Sequence, residues 1–269
     1  MAIRIQTVTT EAFAMDYFCF GHGARTLIIL PGISVQSVMG LADAVAEAYR
    51  SLADDCTVYV FDRRRNMPAA YSIHDMARDT ARAIAALGLS PVDLFGTSQG
   101  GMIALCMAME HPERVRRLAL GSTTARVDAA HYQIIEKWIQ LAKRRDATGL
   151  YLAFGEAVYP RDVFEASRAP LSEAARTVTE AELERFIIQA KAMKGFDVMD
   201  DLAKIACPVL VIGSSDDHVL GGEASERIAE RLNGRAELYM YDGYGHAAYD
   251  TAPDYKARIL RFLLAGSDG

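Results

Sequence analysis

Residues 92–105 read VDLFGTSQGGMIAL, and this segment restricts the fold more than any other part of the sequence. It begins as an apolar strand and continues as an apolar helix over residues 102–109. Between the two, Gly96 and Gly100 stand two positions before and two positions after Ser98. In so tight a strand-to-helix turn, larger side chains at the flanking positions would collide. The turn therefore forces the serine into a strained backbone conformation that points its hydroxyl away from the sheet.

Two neighbours of the serine support this interpretation. The amide of Gln99 is predicted to lie at the start of the helix, where free N–H groups and the helix dipole favour negative charge. Gly101 would let the helix pack closely against the strands. The same glycine and serine pattern also occurs in ordinary turns, so its meaning depends on partner residues elsewhere in the chain.

The composition narrows the class of protein. A chain of 269 residues, 51% hydrophobic and 24% charged, can bury the core of one large domain or of a domain with an insertion. Its net charge of -6 argues against nucleic-acid and anionic-membrane partners, which select positive surfaces. The four cysteines are scattered, so we expect free thiols and no zinc site. No apolar run is long enough for a leader or a membrane span, so we expect a cytoplasmic protein.

Strand and helix patterns alternate along most of the chain. Strands are predicted at residues 3–8, 13–20, 26–30, 56–61, 92–95, 115–120, 208–212 and 237–241, and helices at residues 38–52, 72–89, 102–109, 223–232 and 254–264. From residue 26 onward this alternation is typical of a mostly parallel sheet with helices on both faces. In such sheets, ligands bind at the carboxyl ends of the strands.

The alternation stops over residues 126–201, where we find no convincing strand. Helices are predicted here at residues 127–144, near residues 150–158, and after a capping box formed by Thr179 and Glu182. We interpret residues 126–201 as a helical cap over the strand ends, with residues 1–125 and 202–269 forming the core. The alternative is that this segment simply extends the core.

Three reactive groups follow predicted strands: Ser98, one member of the pair Asp216 and Asp217, and His246. A serine hydroxyl needs a base to accept its proton, and that base needs a carboxylate to fix its tautomer. The order serine, aspartate, histidine, with the serine on a strand-to-helix turn, resembles the α/β-hydrolase superfamily. The segments that carry this resemblance are GTSQGG at 96–101, HPERVRRLAL at 111–120, PVLVIGSSDD at 208–217 and GYGHAAY at 243–249.

The resemblance implies an α/β fold with a mostly parallel eight-stranded sheet, helices on both faces and a helical cap insertion. It also implies that Ser98 is the nucleophile and His246 the base. The acid usually stands three residues after the glycine that ends its strand, which from Gly213 gives Asp216. Asp217 is the alternative acid, and otherwise it would be a loop-capping or solvated carboxylate.

The resemblance further implies an oxyanion hole made by the amides of Gln99 and Ile33. Similar proteins often have histidine and glycine before the second amide, whereas this chain has Pro31 and Gly32, which leaves the orientation of the loop open. Ser34 either donates a further hydroxyl or contacts the substrate, unless it is a plain turn residue.

Two further groups bear on the substrate. The basic run Arg63, Arg64 and Arg65 replaces a glycine-rich segment, and it either attracts a carboxylate or is solvated and paired with acids. In the cap, the candidate pocket residues are Trp138, Tyr151, Phe154, Phe186 and Met193. They imply a small to medium, partly apolar substrate, although each of them alternatively packs the cap onto the core.

These residues together predict a serine hydrolase of carboxylic esters that needs no cofactor and no metal. It would act on a small molecule as a monomer or homodimer. The same triad would also suit cleavage of a C–C bond in a β-diketone or ring-cleavage product, hydrolysis of a lactone or thioester, perhydrolysis, or acyl transfer to an acceptor other than water. A ligand-binding protein that has kept the fold is an alternative of another class. Dehalogenation is disfavoured, because it would require an aspartate in place of Ser98.

Overall fold

The computed structural model describes residues 2–265. Within them, eight strands form one sheet in the order β1-β2-β4-β3-β5-β6-β7-β8. The strands are β1 (Ile5–Thr9), β2 (Ala14–Phe20), β3 (Arg25–Leu30), β4 (Cys56–Arg64), β5 (Val92–Thr97), β6 (Val115–Gly121), β7 (Val209–Ser214) and β8 (Ala236–Tyr241). The β1–β2 and β2–β4 pairs are antiparallel and the other pairs are parallel, which confirms the predicted mostly parallel sheet.

Helices cover both faces of this sheet. They are α1 (Ala42–Ala48), α2 (Ile73–Ala86), α3 (Gln99–Glu110), α4 (Ala129–Lys143), α5 (Ala147–Val158), α6 (Arg161–Ala175), α7 (Glu180–Ala192), α8 (Ala224–Arg231), α9 (Ala248–Thr251) and α10 (Tyr255–Leu264). Apolar residues of α2, α3 and α8 belong to one core cluster, and those of α1, α9 and α10 belong to a second. The two clusters occupy opposite faces, because successive residues of a strand point to opposite sides.

The central strands and their helices follow directly from the sequence pattern. All six residues of β5 are buried, as expected for a strand covered on both faces. Helix α2 begins at a capping box in which Ser72 Oγ accepts from the Asp75 amide and the Asp75 side chain accepts from the Ser72 amide. The central strands therefore lie in the fully covered part of the sheet, and their carboxyl ends meet at one edge.

Helices α4 to α7 lie between β6 and β7 and are called the insertion below. The chain enters and leaves the insertion at one place, where Arg126 and Asp197 form a β-bridge and an ion pair of 2.7 Å. Helix α6 was not predicted, because Pro170 interrupts its pattern and proline is disfavoured inside helices. No helix among residues 2–265 is long and apolar enough to cross a membrane.

Candidate active site

The turn between β5 and α3 has the strained geometry that the sequence predicts. Ser98 has φ 52° and ψ -123°, and it is 5% exposed. A Cβ atom at Gly96 would lie 2.4 Å from the carbonyl oxygen of Gly100, and one at Gly100 would lie 1.9 Å from that of Leu30. The requirement for glycine at both positions is therefore confirmed. Close contacts with neighbouring backbone hold the serine in its strained conformation.

Contacts from the segment after β6 and from the loop after β3 hold this turn. The Thr123 hydroxyl donates to the Ser98 carbonyl at 2.6 Å. A Cβ at Gly101 would lie 2.5 Å from that of Thr123, so the predicted close approach of α3 to the strands is confirmed. A Cβ at Gly32 would lie 3.1 Å from the Ser98 Cβ. The loop that follows β3 therefore runs directly beside the serine.

His246 is 2% exposed and its ring is held by a buried carboxylate. Its Nδ1 lies 2.8 Å from Oδ2 of Asp217. The other oxygen of Asp217 accepts hydrogen bonds from the amides of Val219 at 2.8 Å and Leu220 at 3.1 Å. This arrangement favours the tautomer with the proton on Nδ1, which leaves Nε2 free to accept a proton.

The expectation that Asp216 holds the histidine ring is wrong. Its Oδ1 accepts from the Ser214 hydroxyl at 2.6 Å and from the Gly243 amide at 3.1 Å. Its Oδ2 accepts from the Gly245 amide at 3.0 Å. Asp216 therefore fixes the backbone of the loop that leads to His246.

The error has a simple physical reason. The prediction counted from Gly213 as the end of the strand, but β7 continues to Ser214, which pairs with Tyr241 of β8. The turn therefore begins one residue later than expected. The carboxylate that reaches the ring is thus Asp217, and its neighbour Asp216 faces the loop backbone.

The surroundings of Asp217 stabilise its ionised form. Burial works to raise the pKa of this carboxyl group. The nearby His246 and the hydrogen bonds from the ring and from the amides of Leu220 and Val219 act in the opposite direction, and the net shift of the pKa is downward. The group is therefore a carboxylate at neutral pH.

The two expected oxyanion donors belong to segments that border the serine. Gln99 is the first residue of α3 and Ile33 lies in the loop after β3. Neither amide donates to an acceptor among residues 2–265. Ile33 lines the same cavity as Ser98 and His246. The predicted positions thus carry free N–H groups, one of them at a helix N-terminus.

The three arginines of the basic run have different surroundings. Arg64 forms an ion pair with Asp79 at 3.4 Å, and Arg65 forms one with Asp16 at 2.7 Å. Pairing with acids was one of the two predicted roles. Arg63 fits neither role, because it is 4% exposed and lies inside the protein.

Arg63 connects the loop after β3 to the start of α3. Its Nη2 donates to the Pro31 carbonyl at 2.7 Å and lies 3.3 Å from the side-chain oxygen of Gln99. Burial lowers the pKa of Arg63 to about 10, adjacent Asp62 acts to raise it, and nearby Arg185 acts to lower it. The guanidinium remains charged at neutral pH, and its contacts stabilise the positions of Pro31 and Gln99 relative to each other.

The polar contacts continue from the core to the insertion. The side-chain nitrogen of Gln99 donates to the Gln189 carbonyl of α7 at 2.7 Å. Arg185, also on α7, forms an ion pair with Asp62, whose other oxygen accepts from the Ser37 hydroxyl at 2.5 Å. Helix α7 is therefore anchored by hydrogen bonds to the residue that follows the serine and to the end of β4.

Ser98 and His246 line one small cavity together with three of the expected pocket residues, Trp138, Phe154 and Met193. The free space in it is about 10 Å³, which is about enough for a single water molecule. The Trp138 and Phe154 rings are 4.7 Å apart and tilted by 41°. We call this cavity the inner chamber.

The other expected pocket residues lie elsewhere. Ser34, Tyr151 and Phe154 line a neighbouring open cavity of about 770 Å³, which we call the outer groove. The hydroxyl of Ser34 donates to the Gln36 carbonyl at 2.6 Å, as in a turn. Phe186 is fully buried in the core and lines neither space.

Sequence reasoning missed three residues of the inner chamber: Val158, Val219 and Tyr249. The ring of Tyr249 meets that of His246 edge-on, with ring centres 6.2 Å apart. The position of Tyr249 three residues after His246 was the available signal. Val219 lies two residues after Asp217, so both residues could have been found from their positions close to His246 and Asp217 in the sequence.

Among residues 2–265, one group of side chains offers metal-ligating atoms close together. Donor atoms of His74, Cys106 and Glu110 all lie within 4.8 Å of one another. The His74 and Glu110 side chains already pair at 2.6 Å, and burial raises the pKa of the Cys106 thiol. The group lies toward the far end of α3 from Ser98, so it is separate from the inner chamber.

A nucleophile elbow, a buried histidine–carboxylate pair and two free amides at the ends of parallel strands define a hydrolase of the α/β type. The sequence matches the family described as alpha/beta hydrolase fold over residues 25–182. The chain belongs to this family and is a hydrolase. The family resemblance and the fold class that the sequence indicated are thereby confirmed.

A relative of known name agrees with this class, and solved structures agree with the fold. The chain is 28% identical over 255 residues to a protein of Rhizobium rhizogenes named "Putative carbamate hydrolase RutD", covering 91% of this chain and 95% of that one. An α/β-hydrolase from a Medee basin deep-sea metagenome library, MGS-M2, matches with a TM-score of 0.83 and 22% identity, covering 96% of both chains. The enol-lactonase of Burkholderia xenovorans LB400 matches with a TM-score of 0.82 and 18% identity, covering 96% of this chain and 99% of the other.

Proposed function

We propose that this protein is a serine hydrolase that cleaves a small to medium, partly apolar carboxylic ester through an acyl-enzyme. The observation that carries the proposal is that Ser98 and His246 line one chamber, and that His246 forms a hydrogen bond of 2.8 Å with Asp217. In this proposal, residues 126–201 act as a cap that shapes the substrate site. The apolar residues Trp138, Phe154 and Met193 in the chamber support the choice of a partly apolar substrate.

The proposed reaction proceeds in two acyl-transfer steps. Ser98 attacks the substrate carbonyl while His246 Nε2 accepts the hydroxyl proton and then passes it to the leaving alcohol. The carboxylate of Asp217 fixes the tautomer of His246 and stabilises the imidazolium. The amides of Ile33 and Gln99 donate to the oxyanion. A water molecule, activated by His246, then releases the carboxylic acid and regenerates the serine.

Ser98→Ala tests this function directly. We expect ester hydrolysis to fall by on the order of 10⁶-fold, because the nucleophile of a triad works as a unit with its base. The measurement is turnover of p-nitrophenyl acetate, together with mass-spectrometric detection of a fluorophosphonate adduct on Ser98 of the wild-type protein. Retained turnover in the variant, or no adduct on the wild-type serine, would refute the proposal.

A carbamate is the second candidate substrate. Its carbonyl is open to the same attack, and the relative in Rhizobium rhizogenes is named for carbamate hydrolysis. An ester and a carbamate that share the same alcohol would separate the two candidates. The ester proposal requires a higher kcat/KM for the ester after correction for the uncatalysed rates, and the reverse order favours the carbamate.

A further inference from the structure

The inner chamber is too small for the chemistry proposed for it. Its free space of about 10 Å³ holds about one water molecule, and even an acetyl group is larger than water. The outer groove, of about 770 Å³, lies next to it. A substrate therefore reaches Ser98 only after a side chain that separates the two spaces has moved.

Phe154 is that side chain. It lines both the inner chamber and the outer groove, and no other lining residue of the two spaces is shared between them. It lies on α5 and packs against Trp138 at a ring distance of 4.7 Å on the chamber side. Trp138 is 1% exposed, whereas Phe154 is only partly buried and is the ring of the pair that borders the outer groove.

The outer groove has the lining of an apolar binding site. Val35, Leu41, Pro170 and Leu171 contribute apolar walls to it, and Leu41 is 60% exposed. Among residues 2–265, no lysine or arginine lines the groove, but the acidic residue Glu182 does. An anionic tail would find no cation there, whereas an uncharged apolar chain would cover exposed apolar surface.

We propose that Phe154 is a specificity-determining gate, and that the outer groove binds the uncharged apolar chain of the substrate while the scissile carbonyl sits at Ser98. This inference rests on the function proposed above and adds the substrate class. Rotation of the Phe154 ring toward the groove joins the two spaces, and the return of the ring closes the chamber around a short acyl or alcohol portion. Phe154 and the free length of the groove thus set the preferred length of the substrate's apolar chain.

Gly40 offers a way to fill the groove without disturbing the fold. It lines the groove, and a Cβ there would meet no atom within 4 Å. Gly40→Phe therefore adds bulk to the groove, and Gly40→Ala is its matched control. Phe154→Ala removes the gate, and Phe164→Ala is its matched control. Phe164 is an apolar ring of the neighbouring helix α6 that lines neither space.

The experiment measures kcat/KM for methyl alkanoates and for alkyl acetates with chains of increasing length. We expect Phe154→Ala to raise the ratio of long-chain to short-chain kcat/KM in one series by on the order of 10-fold. We expect Gly40→Phe to lower the same ratio by a similar factor. Gly40→Ala and Phe164→Ala should leave the ratio unchanged. Equal effects on short and long chains in both series would overturn the proposal.

Labelling separates failure of the gate from failure of the proposed function. A methyl fluorophosphonate should label Ser98 in the wild type and in every variant, whereas an octyl fluorophosphonate should label Phe154→Ala faster and Gly40→Phe more slowly than the wild type. Absence of Ser98 labelling in the wild type and in all variants would refute the proposed serine-hydrolase function. If both probes label Ser98 at the same rate in the wild type and in all variants, the proposed gate is refuted and the proposed function is not.

Discussion

One wall of the inner chamber consists of loops that follow parallel strands, and the opposite wall consists of residues from α4, α5 and the end of α7. On the sheet side, hydrogen bonds hold the backbone of Ser98 and the ring of His246. On the insertion side, packed side chains such as Trp138 and Phe154 define the shape. Under the proposed function, the sheet side would carry out the reaction and the insertion side would select the substrate.

The strongest test of the sheet side compares two adjacent carboxylates. We expect Asp217→Asn to lower kcat for an ester by on the order of 10⁴-fold, because the histidine then loses its orienting acid. Asp216→Asn should cost far less, since Asp216 contacts only the loop backbone and the Ser214 hydroxyl. Steady-state kinetics of the two purified variants provide the measurement. A larger loss in Asp216→Asn would reverse the assignment.

A test of the insertion side removes the ring of Phe186, which is 0% exposed. We expect Phe186→Ala to lower the free energy of unfolding by about 3–5 kcal/mol through lost burial and a cavity. Glu184→Ala, at an exposed position of the same helix α7, should change it by less than about 0.5 kcal/mol. Chemical denaturation measures both. Similar values for the two variants would contradict the view that the insertion is a packed unit.

The contact between the two sides can be tested at Arg63. We expect Arg63→Met to lower kcat by about 10–100-fold with little change in KM, because small shifts of the backbone at Pro31 and Gln99 would misplace the proposed oxyanion donors. The control is Arg65→Met, which should leave kcat near the wild-type value. This change removes only an ion pair with Asp16, in which the arginine side chain is 55% exposed. A rise in KM at constant kcat would instead indicate a substrate contact.

The smallest expected effect is a dependence of stability on pH. Because the folded-state pKa of Asp217 is lowered, its carboxylate stabilises the fold above its unfolded pKa of about 3.9 and this contribution is lost as pH falls through the folded value. At pH 7 the wild type should exceed Asp217→Asn in unfolding free energy by about 1.5–3 kcal/mol. The difference should shrink below about pH 4. Urea titrations at both pH values measure it, and a constant difference would argue against an ionised Asp217.

Much of the sheet side could be predicted because backbone sterics leave little choice there. The glycines around Ser98 predict the turn. The order of Ser98 and His246 after successive strands predicts the candidate active site. The choice between Asp216 and Asp217 failed because β7 continues one residue further than the glycine count assumes. A single-residue change in strand length depends on pairing with β8, which local sequence does not reveal.

The insertion side was harder to predict. Helix α6 was missed because Pro170 lies inside it, although the first turns of the helix and its packing on α5 sustain it. The burial of Arg63 was also missed, since a run of charged residues ordinarily indicates a solvated loop. The closed state of the inner chamber depends on the packing of individual rings such as Phe154 and Trp138. No pattern of spacing in the sequence encodes that packing.

The bridge between Arg126 and Asp197 has a consequence for how the family can diversify. Backbone hydrogen bonds from Val127 to Phe196 at 2.9 Å and from Val198 to Ala125 at 2.8 Å bring the two ends of the insertion side by side. The sheet therefore imposes only one short spacing on whatever segment is joined there. Segments of other lengths could therefore replace the insertion at this junction without any change in the spacing of the strands that hold Ser98 and His246.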